Sequence, residues 1–244
     1  MKKAAKDYII FPLDVPSFEQ ARDFIDQLAD CVGMFKVGLE LYIASGPGII
    51  ARIKDAGAAR VFLDLKLHDI PATVARAMQR VAGLGVAMTT VHCAGSQKMM
   101  QAAVQASDGQ VDVLGVTVLT SMNRADIQAD GFKDQFAADL GSLVVQRAAK
   151  AQAAGCSGVV CSGLEVGMIK KALGNAFMTV APGIRPSWEA TAGDDQQRVV
   201  TPAQAIGAGA DYLVIGRPIR DAKDPRAAAR RIASEIDATL SDNG

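Results

Sequence analysis

The stretch VFLDLKLHDIP, residues 61–71, places several ionisable side chains directly after a run of apolar residues: Asp64, Lys66, His68 and Asp69. Side chains two residues apart on a strand share a face, so Asp64 and Lys66 point the same way. Taking an ion pair out of water costs several kcal/mol per ion, which makes this much charge a poor device for stability alone. A salt-bridge network that fixes one end of the fold is the alternative. The pattern of this segment favours a catalytic site in which the charged side chains take part in the reaction.

Two earlier apolar runs also end in charge, the first at Asp14 and the second at Lys36. If these runs are neighbouring parallel strands, the side chains at their ends should converge on Asp64, Lys66 and Asp69. A charge pair ~4 Å apart interacts by about 4 kcal/mol at an effective dielectric of ~20. Carboxylates on either side therefore favour the ammonium form of Lys66, which predicts a proton donor rather than a base or a Schiff-base amine.

The last two apolar runs are each followed by a glycine and an arginine, in APGIRPS (181–187) and VIGRPI (214–219). Arg185 and Arg217 offer guanidinium forks, and Gly216 lets a backbone N–H approach a ligand closely. Either arginine alone could be a solvated loop charge, but both at these positions favour a phosphate site. Thr120 supplies a hydroxyl suited to a heterocycle or a sugar. We assign His68, like His92, a structural role.

Short apolar runs alternate with Ala-rich amphipathic stretches along the chain, which predicts eight strand–helix units. A doubly wound sheet is the competing architecture, but it usually carries a Gly-rich loop after strand one, where this chain has FPLDVPS. We therefore predict an α/β fold, a single (β/α)8 TIM barrel over residues 1–244. The predicted strands are 8–13, 34–37, 61–66, 87–91, 111–119, 158–161, 178–181 and 212–215. The predicted helices are 17–30, 47–56, 71–84, 96–107, 137–153, 164–173, 202–206 and 225–240.

Two long polar connections break this rhythm, TSMNRADIQADGFKDQ (120–135) and GIRPSWEATAGDDQQRVV (183–200). Each follows a predicted strand, and in a barrel the loops after the strands form the catalytic face. Long loops inside a compact domain are usually functional or disordered. Gly183 and Gly193 bracket part of the second connection and are candidate hinges.

Composition excludes several classes of protein. The 26 Lys and Arg residues balance the 26 Asp and Glu residues, so no net field attracts nucleic acid or an anionic membrane. No apolar run is long enough for a signal peptide or a membrane span, which predicts a cytoplasmic protein. The four cysteines are scattered without zinc-type spacing, and we expect reduced thiols and no bound metal.

The string FLDLKLHDIPATV (62–74) resembles the signature of the orotidine 5′-phosphate decarboxylase family, and the resemblance continues through LDVPS, FKVGLEL, VLTSM, APGIRP and DDQQRVVTPAQAIGAGADYLVIGRPI. It implies a homodimeric, cofactor-free enzyme that converts orotidine monophosphate to UMP. It also implies the residue roles, in which Lys36, Asp64, Lys66 and Asp69 form the catalytic tetrad. Asp14 and Lys36 contact the ribose, Asp64 lies beside the substrate carboxylate, and Lys66 protonates C6. Asp69 and Thr73 reach in from the partner subunit, Thr120 touches the pyrimidine, and the phosphate is bound by Arg185, Gln196 (rather than Gln197), Gly216 and Arg217.

The implied reaction agrees with the charges. Loss of CO2 leaves a carbanion without a conjugated sink, and a fixed ammonium beside it lowers the barrier electrostatically. The nearest rival is a magnesium-dependent member of the same superfamily, but such enzymes resemble this chain except for an acidic metal ligand where Lys36 stands. A second rival is an idle barrel that binds nucleotides as a regulator, which should have lost one of the four charged residues.

Overall fold

Eight parallel strands close into a barrel in the computed structural model, which describes residues 3–189 and 199–242. Each strand pairs with the next along the chain, and the first pairs with the last, so the predicted (β/α)8 architecture is confirmed. The strands are β1 (Ile9–Pro12), β2 (Met34–Val37), β3 (Val61–Leu67), β4 (Met88–His92), β5 (Asp112–Val116), β6 (Gly158–Val160), β7 (Met178–Ala181) and β8 (Tyr212–Val214).

Helices follow the strands and pack around the barrel. They are α1 (Phe18–Leu28), α2 (Leu39–Ser45), α3 (Ile49–Asp55), α4 (Pro71–Ala82), α5 (Gln97–Ser107), α6 (Arg124–Ala129), α7 (Asp134–Ala138), α8 (Leu140–Ala153), α9 (Val166–Leu173), α10 (Pro202–Gly207), α11 (Arg217–Arg220) and α12 (Pro225–Asp242). Short 3₁₀ turns occupy Ala5–Tyr8, Gly163–Glu165 and Ser187–Glu189. No helix within the described ranges is long and apolar enough to cross a membrane.

Several helices begin where the sequence predicts. Ser17 and Ser96 cap α1 and α5, because each hydroxyl accepts a hydrogen bond from a first-turn N–H group. Pro71 and Pro202 occupy the first turns of α4 and α10, where a missing N–H costs nothing. The prediction that a helix begins at Pro47 was wrong by two residues, because α3 starts at Ile49.

The connection after β5 is more ordered than the sequence analysis predicts. Residues 120–135 include α6 and the start of α7 rather than an unstructured loop. Asn123 caps α6 by accepting from the N–H groups of Ala125 and Asp126, and the Asp126 carboxylate accepts from the N–H of Asn123 in return. The sequence NRAD, residues 123–126, matches this capping box and is the signal for α6 that the sequence analysis missed. The structure also ends β5 at Val116, three residues before the predicted limit.

The inside of the barrel changes from apolar to charged along its strands. Its lower layer is packed with Ile10, Met34, Phe62, Met88, Leu114, Val180 and Tyr212. Side chains two residues further along a strand share the inward face, so Lys36 follows Met34 and Asp64 follows Phe62. A larger apolar cluster fills the space between the strands and the helices. Burial of the lower layer therefore fixes the direction in which the charged layer points.

At the opposite end of the barrel a buried lysine ties β7 to β8. The Lys170 ammonium, only 8% exposed, donates to the carbonyls of Asn175 (3.0 Å) and Phe177 (2.9 Å) and to Asp211 Oδ2 (2.7 Å). The same carboxylate oxygen accepts from the N–H and the hydroxyl of Thr179.

Lys170→Met is expected to lower the free energy of unfolding by about 2 to 3 kcal/mol, because it removes the ammonium that hydrogen-bonds Asp211. The loss should be smaller than for a fully buried pair, since Asp211 is 35% exposed and Lys3 also lies near it. Urea unfolding of the variant measures this loss. Lys171→Met is the matched control, since Lys171 is exposed on the same helix and its replacement should change stability little. Equal losses in the two variants would contradict this role for Lys170.

Candidate active site

A cavity of about 360 Å³ opens at the carboxyl ends of the strands. Charged side chains from β1, β2 and β3 line one side of it, and arginines from the segments after β7 and β8 line another. Apolar residues at the ends of β5 and β6 lie between them. The cavity thus has a charged end, an apolar wall and a basic end, and the charged and basic ends also adjoin each other where β1 pairs with β8.

Four side chains alternate in charge along the first side of the cavity. The Lys36 ammonium donates to Asp14 Oδ1 at 3.0 Å and lies 3.7 Å from Asp64 Oδ2. The Lys66 ammonium donates to the same oxygen of Asp64 at 2.7 Å. Side-chain exposure is 11% for Lys36, 12% for Asp64 and 32% for Lys66. The predicted convergence of these four residues is therefore present, with Lys66 the more accessible of the two ammonium groups.

Asp64 is held as a carboxylate. Burial alone would raise the pKa of Asp64, but the charges of Lys36 and Lys66 and the hydrogen bonds from Lys66 and Thr90 outweigh it, so the pKa lies below its ordinary value. The Thr90 hydroxyl donates to Asp64 Oδ1 at 2.8 Å. A fixed negative charge therefore lies beside the cavity near neutral pH.

Thr90 is a supporting residue that the sequence analysis missed. Its hydroxyl oxygen accepts from the backbone N–H of Lys66 at 2.8 Å while the hydroxyl donates to Asp64. One fully buried side chain thus fixes both neighbouring charges. The signal available in the sequence was a pair of threonines, Thr89 and Thr90, inside an otherwise apolar strand.

The backbone at Lys66 is strained. Its φ is 50°, a left-handed conformation that costs a non-glycine residue of order 1–3 kcal/mol. The register between β3 and β4 shifts between Leu63 and Leu67, so the strand carries an irregularity at this point. In this conformation the Lys66 ammonium reaches Asp64, two residues earlier in the same strand.

Within the single chain Asp69 does not join the other charged residues, which corrects the expectation that all five converge. The chain has left β3 by Leu67, and the Asp69 carboxylate accepts from the N–H of Ile70 at 2.6 Å, next to the start of α4. Asp69 is exposed and lines a separate shallow hollow. Thr73, in the first turn of α4, does not line the main cavity either.

The basic end of the cavity contains Arg185, Gly216 and Arg217, as the sequence predicts, together with Arg220. Gly216 packs closely against Pro12, because a Cβ at this position would meet Pro12 Cγ at 3.0 Å. Backbone contacts between Ile184 and Val200 and between Arg185 and Val200 join the two ends of the second long connection. Gly183, one of the two candidate hinges, has a left-handed φ of 74°. Gln196, the alternative Gln197 and the other hinge, Gly193, lie outside the described residues.

The apolar wall is formed mainly by residues at the ends of β5 and β6, namely Val116, Val118, Leu119, Val160 and Cys161. Thr120 lines the cavity beside them, so its predicted place next to a ring is compatible with the geometry. A flat heterocycle would be covered on one face by this wall.

The two histidines lie against each other next to this site, with 5.5 Å between the ring centroids of His68 and His92. Burial, with the neighbouring His68 and the charge on Lys66, lowers the pKa of His92. A neutral His92 fits the structural role predicted for it. Across the described ranges there is no group of three or more His, Cys, Asp or Glu side chains that could hold a metal ion.

The fold and the cavity place this protein among the TIM-barrel enzymes, whose active sites lie at the carboxyl ends of the strands and frequently include a phosphate site in the loops after strands seven and eight. Comparison with known sequences narrows the class, because residues 7–232 match the model of the orotidine 5′-phosphate decarboxylase / HUMPS family. The chain belongs to this family.

Individual relatives are similar to this chain over almost its whole length. The chain is 50% identical over 239 residues to the orotidine 5′-phosphate decarboxylase of Desulfosudis oleivorans, covering 98% of this chain and 96% of the relative. It is 49% identical over 244 residues to that of Xanthomonas euvesicatoria pv. vesicatoria, covering 99% and 96%. The solved structure of the Lactobacillus acidophilus enzyme superposes with a TM-score of 0.81 at 32% identity, covering 93% of this chain and 98% of that one.

Proposed function

We propose that this protein decarboxylates orotidine 5′-phosphate to UMP, the reaction for which its relatives are named. The observation that carries the proposal is the row Asp14, Lys36, Asp64 and Lys66 along one side of a cavity whose other end is basic. The basic end suits the 5′-phosphate, and the apolar wall suits the pyrimidine. The row of charges then lies along the ribose and the C6 carboxylate.

The chemical step uses Lys66. Cleavage of the bond between C6 and the carboxylate releases CO2 and leaves the bonding electron pair on C6. The Lys66 ammonium stabilises this carbanion, because a preoriented charge in a site that excludes water costs no reorganisation during the reaction. It then donates its proton to C6 to give UMP, and the neutral amine takes a new proton from solvent.

Asp64 contributes through its charge and its contact with Lys66. Its lowered pKa keeps it ionised, so it repels the substrate carboxylate until CO2 leaves. The same carboxylate orients the Lys66 ammonium through their 2.7 Å hydrogen bond. Lys36, which lies between Asp14 and Asp64, balances the two carboxylates and contacts the ribose together with Asp14.

Binding of the phosphate supplies energy at a distance from the reacting carbon. Arg185, Arg217, Gly216 and Gln196 hold the phosphate, and Thr120 holds the pyrimidine. Interactions with a remote group accelerate the reaction when they position the substrate and exclude water. The second long connection, between Gly183 and Val200, is the segment through which this effect would act.

The active form is a homodimer in this proposal, and Asp69 and Thr73 complete the partner subunit's site. This assignment is supported by their position, because both lie outside the cavity of their own chain at the start of α4. Ile70, next to Asp69, is an apolar side chain with an exposed fraction of 66%. A second subunit packed against this face would remove the Ile70 side chain from water.

Mixing two inactive variants tests this arrangement. Lys66→Ala and Asp69→Ala are each expected to be inactive, but a mixed dimer has one site with both substitutions and one with neither. Random re-pairing of subunits in a two-fold dimer should therefore restore about one quarter of the wild-type activity. The control pair, Lys66→Ala with Asp64→Asn, should recover none, because both residues act in their own subunit. Absence of recovery in the first mixture would place Asp69 in its own subunit's site or outside catalysis.

The function itself is tested by adding orotidine 5′-phosphate to the purified protein and following substrate loss and the appearance of UMP and CO2. Stoichiometric conversion to UMP is the expected result. A protein that binds UMP tightly but releases no CO2 would instead be a nucleotide-binding regulator. The intact row of four charged residues argues against that second function, since a regulator has no need of Lys66 beside Asp64.

The remaining parts of the proposal concern the state of the protein. Catalysis requires no metal or organic cofactor, because Lys66 stabilises and protonates the carbanion by itself. The whole chain, 1–244, forms one domain whose partners are the nucleotide and a second copy of the chain, with no nucleic acid and no membrane. We place the enzyme in the cytoplasm, where the buried thiols Cys31, Cys93, Cys156 and Cys161 remain reduced.

A further inference from the structure

The basic end of the cavity contains a third arginine that neither the motifs nor the family resemblance single out. Arg220 lines the cavity together with Arg185 and Arg217. It is the last residue of α11, three positions after Arg217, so the two arginines lie on the same side of this short helix. Its side chain is 34% exposed. Arg220 is therefore accessible to a ligand in the cavity.

Arg220 is held in one orientation by its neighbour in the chain. Its Nε donates to Asp221 Oδ1 at 2.7 Å, and its Nη2 donates to Asp221 Oδ2 at 3.1 Å. This two-point contact uses two of the five N–H groups of the guanidinium and fixes its plane. The three remaining N–H groups, one on Nη2 and two on Nη1, are not used by Asp221. A guanidinium fixed in this way loses little further freedom when it binds an anion.

The charges around Asp221 show that it belongs to the basic end. Its hydrogen bond with Arg220 is the main reason that the pKa of Asp221 is lowered, and the charges of Arg217 and Arg185 act in the same direction. Arg185 and Arg217 alone match the charge of a phosphate monoester, which carries nearly two negative charges near neutral pH. The Arg220–Asp221 pair adds hydrogen-bond donors without adding net charge.

We propose that Arg220 is a further phosphate-binding residue and that Asp221 is its positioning residue. The carboxylate holds one edge of the guanidinium so that the free edge meets the phosphoryl group bound by Arg185 and Arg217. The inference rests on the proposed function and deepens it, because it makes Arg220 a determinant of the preference for the phosphorylated nucleotide over the bare nucleoside.

The test compares kcat/KM for orotidine 5′-phosphate with kcat/KM for orotidine, which lacks the phosphate. The ratio of interest is kcat/KM for orotidine 5′-phosphate divided by kcat/KM for orotidine. Loss of hydrogen bonds to a charged group should lower this ratio by about 10- to 100-fold in Arg220→Ala. Arg220→Lys should lower it less, because lysine keeps the charge but not the fork. Asp221→Asn should lower it by about 3- to 10-fold, through loss of one strong contact to the guanidinium. Arg22→Ala is the control, since it breaks an exposed Arg–Asp pair on α1 that does not line the cavity.

The possible outcomes distinguish a phosphate-binding role of Arg220 from a structural role and from failure of the proposed function. A ratio that stays at the wild-type value in Arg220→Ala overturns the inference, whether or not the absolute rates fall, because a purely structural role affects both substrates alike. If Arg220→Ala does not fold, the ratio in Arg220→Lys and the inhibition constant of inorganic phosphate decide, and wild-type values for both overturn it. A wild-type protein without activity on orotidine 5′-phosphate refutes the proposed function instead.

Discussion

Lys66→Ala is expected to lower kcat for orotidine 5′-phosphate by about 10⁴-fold or more, while UMP still binds. In the proposed mechanism the ammonium stabilises the carbanion and supplies its proton. Removal of a group typically costs about 10²- to 10³-fold for the electrostatic role and about 10²- to 10⁴-fold for the proton transfer. UMP has no carboxylate on C6, and its C6 already carries a hydrogen, so it needs nothing from Lys66. The affinity for UMP should therefore change by less than about tenfold, the equivalent of 1.4 kcal/mol. Single-turnover assays and calorimetric titration with UMP give the two values.

The matched control is Lys98→Ala, which removes an exposed lysine from α5 and should leave both values near wild type. Retention of more than a few per cent of the wild-type kcat in Lys66→Ala would remove Lys66 from the chemical step. Parallel loss of UMP binding would show that Lys66 acts mainly in assembling the site.

Asp64→Asn is expected to damage both stability and turnover. It leaves the ammonium groups of Lys36 and Lys66 around a neutral amide, and removing one partner of a buried ion pair typically costs about 3 kcal/mol or more. We expect a loss of about 3 kcal/mol, at the low end of that range, because Lys66 is partly exposed and Lys36 keeps Asp14. Turnover should fall by about 10²- to 10³-fold, as for the loss of a preoriented electrostatic group.

The stability difference between wild type and Asp64→Asn should depend on pH in a defined direction. The pKa of Asp64 is lower in the folded protein than in the unfolded chain, so ionisation favours folding. The contribution is complete above the unfolded pKa of roughly 3.9 and is lost as the pH falls towards the folded value. Urea unfolding of both proteins at neutral and acidic pH measures it. A difference that grows as the pH falls would contradict the assignment of Asp64 as a stabilised carboxylate.

Much of the fold can be predicted from the sequence because alternation of strands and helices is a local property. Each barrel strand is a short apolar run buried on both sides, and such runs stand out against the amphipathic helices between them. The predicted limits fail where tertiary contacts decide. Strand β5, for example, ends at Val116 because the chain turns into the cavity wall there, although the apolar run continues to Leu119.

The charged part of the site could be predicted because inward-facing positions repeat every second residue. That rule places Lys36 and Asp64 above Met34 and Phe62. It does not apply to Asp69, since the regular alternation ends with the strand and the carboxylate turns to the N–H of Ile70. The sequence also gives no indication of the left-handed backbone at Lys66, because a lysine is not a residue type that favours it.

The sequence pattern does not indicate the residues that support the charged and basic groups of the site. Thr90 resembles any β-branched residue in a buried strand, and only its contacts with Asp64 and Lys66 distinguish it. Arg220 resembles a solvated helix end until the closed barrel brings it to the cavity beside Arg185, from a distant part of the chain. Such roles depend on contacts between elements, which composition and spacing do not encode.

We propose that the side chains of the protein decarboxylate the nucleotide without a metal ion. The most direct measurement is the rate of orotidine 5′-phosphate loss by extensively dialysed protein, with and without a chelator and with added Mg²⁺. We predict one rate in all three conditions. A rate that falls with the chelator and is restored by Mg²⁺ would contradict the claim and would require a different role for Lys36.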